Sequence, residues 1–119
     1  MKDRCHVLII EDEPLIAMLV RDILQDEGAT SFAFADTQEG ALASAVSQPP
    51  DVITSDVKLI RGTGPLAVNA IHEKLGDVPV IFITATPADC QPCNPPGQVL
   101  RKPINPIELA TAFNELVPC

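Results

Sequence analysis

Three acids, a hydroxyl and an amine stand where short apolar runs of this sequence come to an end. Glu11 and Asp12 follow His6-Val7-Leu8-Ile9-Ile10. Asp56 follows Val52-Ile53-Thr54-Ser55, Thr84 follows Val80-Ile81-Phe82-Ile83, and Lys102 follows Val99-Leu100-Arg101. Together these groups could hold a divalent cation and a phosphoryl group. Carboxylate oxygens are the ligands Mg²⁺ prefers. A carboxylate such as Asp56 can attack phosphorus to form an acyl phosphate. That attack needs a metal to offset the charge of acid and phosphate, and a cation such as Lys102 on the far side. Each residue alone has an ordinary explanation. Glu11-Asp12-Glu13 would suit the start of a helix through its dipole, Thr84 is a common strand-end residue, and Lys102 could be a surface charge. Their joint placement at strand ends is what carries the chemistry.

For these residues to meet, the apolar runs must be neighbouring parallel strands, because open α/β folds place their sites beyond the carboxyl ends of such strands. The pattern alternates accordingly. Strands are expected over about 6–10, 30–35, 51–55, 78–83 and 97–101. Helices are expected over about 14–27 and 37–47, from Pro65, and from Asn105, where Glu108 is a capping-box partner. Pro14 suits a first helical position and Gly28 a cap. The predicted apolar stripes are Leu15, Ile16, Leu19, Val20, Ile23 and Leu24; Ala41, Leu42, Ala45 and Val46; Leu66, Ala67, Ala70, Ile71 and Leu75; and Leu109, Ala112, Phe113 and Leu116. Alternating β and α units predict an α/β fold, a doubly wound five-stranded parallel sheet with helices on both faces. Pro87, Pro92, Pro95 and Pro96 leave room for no more than one regular turn between Thr86 and Pro96.

At 119 residues, 46% apolar and 20% charged, the chain is expected to be one globular domain with a single core. A formal net charge of -8 opposes direct nucleic-acid binding. No apolar run approaches the roughly 20 residues that cross a bilayer, and the N-terminus lacks a signal-peptide pattern, so no membrane association and a cytoplasmic location are expected. Cys5, Cys90, Cys93 and Cys119 are expected as reduced thiols. Cys90 and Cys93 are read as two loop thiols, and His72 as lying on the solvent face of its helix.

The strand-end set resembles that of the receiver domain of bacterial two-component response regulators. The matching pieces are Ile9-Ile10-Glu11-Asp12-Glu13-Pro14, the Asp56 strand, Ile83-Thr84-Ala85 and Lys102-Pro103. The resemblance spans essentially the whole chain. It implies a flavodoxin-like, CheY-like three-layer sandwich. It implies Mg²⁺ held by Glu11, Asp12, Asp56 and the backbone carbonyl of Lys58. It makes Asp56 the acceptor of a phosphoryl group from a phosphohistidine on a sensor histidine kinase or histidine phosphotransfer protein. Thr84 and Lys102 would bind the phosphoryl oxygens, small Ala85 would leave the site open, Lys58 and Thr86 would tune the lifetime of the acyl phosphate, and Lys102-Pro103 would be cis. The module would be a phosphoacceptor rather than an enzyme, without an effector domain, acting on an unknown downstream protein, and dimerisation is open to it.

Two features depart from that family. Val99 occupies the position where an aromatic ring commonly swings inward. The Thr84–Lys102 interval is short by roughly one helical turn, about four residues, so the fourth helix is expected to be shortened or irregular and the output surface changed. An aspartate-nucleophile phosphatase of the haloacid dehalogenase type is the alternative. It requires a second Asp two residues past the nucleophile, where this chain has Lys58. A flavodoxin-like cofactor binder is disfavoured because no Gly-rich loop follows the first strand.

Overall fold

The computed structural model describes residues 4–59, 61–85, 87 and 97–116. Five strands alternate with helices: β1 (His6–Ile10), α1 (Pro14–Asp26), β2 (Ser31–Ala35), α2 (Gln38–Ser47), β3 (Val52–Ser55), α3 (Gly64–Leu75), β4 (Val80–Thr84), β5 (Gly97–Arg101) and α4 (Pro106–Leu116). All pairings are parallel and the strand order is β2-β1-β3-β4-β5. The chain runs outward from β1 to β2 and then returns past β1 to β3. The order therefore reverses between β1 and β3, the crevice where doubly wound sheets bind ligands. The predicted class and topology hold.

The three central strands β1, β3 and β4 are buried along their whole length, so neighbouring residues serve opposite cores, while the edge strands β2 and β5 are partly exposed. Val7, Ile9, Ile81 and Ile83 pack with Val20, Leu24, Leu109 and Phe113 of α1 and α4. Leu8, Ile10, Ile53 and Phe82 pack with Ala41, Ala45, Ala67 and Ile71 of α2 and α3. Small residues dominate α2, which seats its backbone close to the sheet. The helices start on side-chain caps: Thr37 Oγ1 accepts from the Gly40 N–H at 3.0 Å, Thr63 Oγ1 from Leu66 at 3.3 Å, and Asn105 Oδ1 from Ile107 at 2.9 Å. Gly28, at φ 110°, follows the end of α1 in a conformation that glycine adopts without strain.

Several expectations need correction. The stripe of α1 is narrower and rotated. Ala17, Val20 and Leu24 are buried, whereas Leu15 is 80% exposed and Leu19 is also outside. Val46 and Leu66 are likewise exposed, and Val68 takes an inward place on α3. In each case the apolar residue sits on the flank of its helix, outside the narrower strip that faces the sheet. His72 is half-buried, its Nε2 2.8 Å from the Val78 carbonyl oxygen, which it satisfies just past the end of α3. Cys5 is wholly buried and disulfide-bonded, with a partner outside the described residues. The reduced-thiol expectation rested on compartment statistics, which say nothing of which sulfurs the fold brings together. The proline-rich stretch 88–96, with its shortened fourth helix and Cys90 and Cys93, lies outside the described residues. Among the described residues, no helix is long and apolar enough to cross a membrane.

Candidate functional site

The ends of β1 and β3 are locked side by side. The Asp56 N–H donates to the Ile10 carbonyl at 2.8 Å, and the Glu11 N–H donates to the Ala35 carbonyl at 2.9 Å. This ladder carries on past the strands and sets Glu11, Asp12 and Asp56 around one point: a carboxylate oxygen from each lies within 4.8 Å of the others. Successive strand residues face opposite ways, so Asp12 can join Glu11 only because the chain turns into α1, which Pro14 opens. Glu13, which precedes it, caps nothing with its side chain, and its N–H donates to Glu11 Oε2 at 3.2 Å. Glu13 thus makes no side-chain cap, and Glu11, although it accepts this N–H, also turns its other oxygen to Lys102.

Lys102 arrives from the far side of the sheet. Its N–H donates to the Thr84 carbonyl at 2.8 Å, which extends the β4–β5 ladder by one step. Its Nζ donates to Glu11 Oε1 and to Asp56 Oδ2, each at 3.3 Å. The following Lys102-Pro103 bond is cis, as expected. Asp56 Oδ1 accepts from the Val57 N–H at 2.7 Å. The structure thus brings Glu11, Asp12, Asp56 and Lys102 together. Thr84 is buried as the last residue of β4, not the first after it, and the backbone bond holds it beside Lys102. Lys58 lies exposed in the loop after Asp56, where it bridges Thr63.

Charge is the property that sets this cluster apart. Three carboxylates face one ammonium. Burial and then the neighbouring Asp56 charge push the Glu11 carboxyl up to about 7, against the pull of Lys102. Burial would lower the Lys102 ammonium, but Glu11 and Asp56 outweigh it and hold that group above the ordinary lysine range. The deficit of positive charge, set among hard oxygen donors, fits a small divalent cation such as Mg²⁺. On the α1 side an open groove of about 400 Å³, lined by Asp12, Met18, Arg21 and Phe34 among others, leads to the acids.

Sequence reasoning missed Gly64. A Cβ there would overlap the Asp56 carbonyl oxygen and Ser55 Oγ, and Ser55 Oγ itself donates to that carbonyl at 2.8 Å. The start of α3 thus presses directly on the backbone of Asp56. A glycine eight residues past the acid was the available signal. The hydrogen bonds that join Gln38 to Arg61 and Thr63 in the same loop left no pattern in the sequence at all.

Comparison with known proteins agrees with this geometry. Residues 7–114 match the model of the "Response regulator receiver domain". The chain is 34% identical over 114 residues to the Phyllosphere-induced regulator PhyR of Methylorubrum extorquens, covering 92% of this chain and 42% of that protein. The solution structure of the Erythrobacter litoralis PhyR response regulator REC domain superposes with a TM-score of 0.85 at 32% identity, covering 95% of this chain and 89% of that one. Vibrio cholerae chemotaxis protein CheY4 superposes with a TM-score of 0.80 at 26% identity, covering 96% and 99%. The chain spans less than half the length of the first curated relatives it matches.

Proposed function

The chain belongs to the response regulator receiver domain family, and on that premise we propose that Asp56 accepts a phosphoryl group from a phosphohistidine of a partner histidine kinase or phosphotransfer protein. The observation that carries this reading is the set of three carboxylates, one buried and two half-buried, converging within 4.8 Å opposite Lys102. Glu11, Asp12, Asp56 and the Lys58 carbonyl would hold Mg²⁺. When bound, that ion neutralises the acids and polarises the incoming phosphoryl oxygens.

The rest falls to the chain itself. An Asp56 carboxylate oxygen attacks phosphorus, the O–P bond forms as the N–P bond breaks, and the histidine nitrogen leaves with the electron pair and regains a proton from solvent. The Val57 N–H fixes Asp56 Oδ1 and so orients the carboxylate. Lys102 Nζ, now bridging Glu11 and Asp56, is within reach of the phosphoryl oxygens and would exchange carboxylate for phosphoryl contacts. The Thr84 hydroxyl would donate to another phosphoryl oxygen. Exposed Val99 is stiff and short and gives the output no ring to move. Signalling would pass to an unidentified protein by changed contacts in the cytoplasm, and Lys58 stands where a hydrolase of this chemistry needs its second acid.

The test is the intact mass after incubation with Mg²⁺ and acetyl phosphate. A phosphoryl adduct is expected in the native protein and absent from Asp56→Asn. No adduct in the native protein would overturn the assignment.

A further inference from the structure

The loop after Asp56 is held from outside its own strand. Lys58 pairs antiparallel with Thr63, and Arg61 forms a parallel bridge to Thr37. Since β2 and β3 flank β1, this bridge joins the two segments on either side of the strand that carries Glu11. Gln38 makes the fastening. Its N–H donates to the Arg61 carbonyl at 3.0 Å, and its Oε1 accepts from the Thr63 N–H at 3.2 Å. Its side chain lies where a Cβ on Gly62 would be, and Gly62 has φ 80°, so both the backbone conformation and the space there call for glycine. One glutamine, the first residue of α2, thus grips both limbs of a loop whose other end is Lys58.

We propose that Gln38 is a positioning residue for the cation site: by holding Thr63 against Lys58 it fixes where the loop after Asp56 presents its backbone oxygens. The proposal rests on the reading of Asp56 and its neighbours as a Mg²⁺-dependent phosphoacceptor. Gln38 contributes no ligand. It acts as groups behind metal ligands do, by removing alternative positions of the ligating atoms. Coupling of this kind is reciprocal. An ion that orders the loop must therefore also tighten Gln38 and the first turn of α2, so occupancy of the site is felt at α2 without any aromatic side chain moving.

Magnesium titrations of the native protein and of Gln38→Ala and Gln38→Glu, by calorimetry together with amide exchange at Thr63 and Gln38, test this. Gln38→Ala is expected to bind Mg²⁺ roughly three- to tenfold more weakly, the equivalent of one lost hydrogen bond, and to lose the Mg²⁺-induced protection of Thr63. Gln38→Glu keeps the acceptor oxygen and should restore both. Gly62→Ala displaces the Gln38 side chain by a separate route and should match Gln38→Ala. Unchanged Mg²⁺ affinity in a folded Gln38→Ala protein, or no recovery in Gln38→Glu, overturns the positioning role while the phosphoacceptor reading stands. Absence of Mg²⁺ binding in the native protein overturns both.

Discussion

Strand β1 has buried polar groups at both ends, and the fold treats them in opposite ways. At its start, polar groups close on one another, with His6 Nε2 the one ring atom left buried without a partner among the described residues. The His6 N–H donates to Asp51 Oδ2 at 2.7 Å, His6 Nδ1 lies 2.7 Å from Ser31 Oγ, and the Cys5 N–H donates to Thr30 Oγ1 at 2.8 Å while Thr30 Oγ1 donates back to the Cys5 carbonyl at 3.2 Å. At its finish, carboxylates outnumber the one amine and a buried Glu11 is pushed up to about 7. Hydrogen bonds made within the chain stabilise it. Charge left in excess costs stability and is held for something that arrives from outside. The contrast assigns structure to one edge of the sheet and chemistry to the other, as perturbed acids in a crevice generally indicate.

The largest effect that would break this contrast is at Asp56. Asp56→Asn should abolish the phosphoryl adduct completely and, without Mg²⁺, raise stability at pH 7 by about 1 kcal/mol, because it removes a charge from a like-charged cluster. Urea unfolding with and without Mg²⁺ reads this. A variant that loses stability in metal-free buffer would show that Asp56 is paired as well as the groups at the other edge.

Gly64→Ala comes next. The added methyl meets the backbone of Asp56 rather than a movable side chain, so it cannot be relieved cheaply. It should cost about 2–3 kcal/mol by overpacking and slow adduct formation, since the carboxylate shifts with its backbone. Native-like stability and phosphorylation would mean the contact is softer than it looks. At the opposite edge, Asp51→Ala strands a buried N–H on His6 and should cost about 1–3 kcal/mol. Calorimetric Mg²⁺ affinity should stay unchanged, and a weakened ion would show that the two edges are not independent.

These effects also mark how far the sequence could be read. The parallel, doubly wound class and the meeting of Glu11, Asp12, Asp56 and Lys102 were legible because apolar runs of strand length end on polar residues, and parallel strands bring such ends together; the order of the strands was not. The outer flanks of the helices were not. Leu15 and Leu66 carry the right period, but burial depends on how each helix lies on the sheet, which is a tertiary property. Gly64 and Gln38 act through contacts with backbone eight or more residues away, and no local periodicity records those. His6 read as one residue of an apolar run, and nothing in the run announced Ser31 and Asp51 as its partners.

The smallest effect, and the one that sharpens the contrast most, is the pH response of His6. Burial lowers its pKa below the ordinary value of 6.5, against the raising influence of Asp51 and Ser31, while nearby Arg4 adds to the lowering. The folded protein therefore binds that proton less readily than the unfolded chain. Its contribution is complete above about pH 6.5 and is lost as pH falls toward the folded-state pKa, because there the unfolded chain holds more protons. Glu11 behaves in the reverse sense in metal-free protein. Its raised pKa makes ionisation costly to the fold, so its effect on stability falls as pH rises from about 4.5 to about 7. The two edges of one strand should then oppose each other across mildly acid pH. Urea midpoints at pH 5.5 and 7.5 for native protein and His6→Phe separate them, since the Glu11 response is common to both. On acidification His6→Phe should gain stability from Glu11, and native protein should gain less or lose, whatever fixed amount the lost Ser31 contact costs the variant. Parallel pH profiles would mean that His6 takes up its proton as easily in the fold as in water, and that its edge is less closed than its hydrogen bonds suggest.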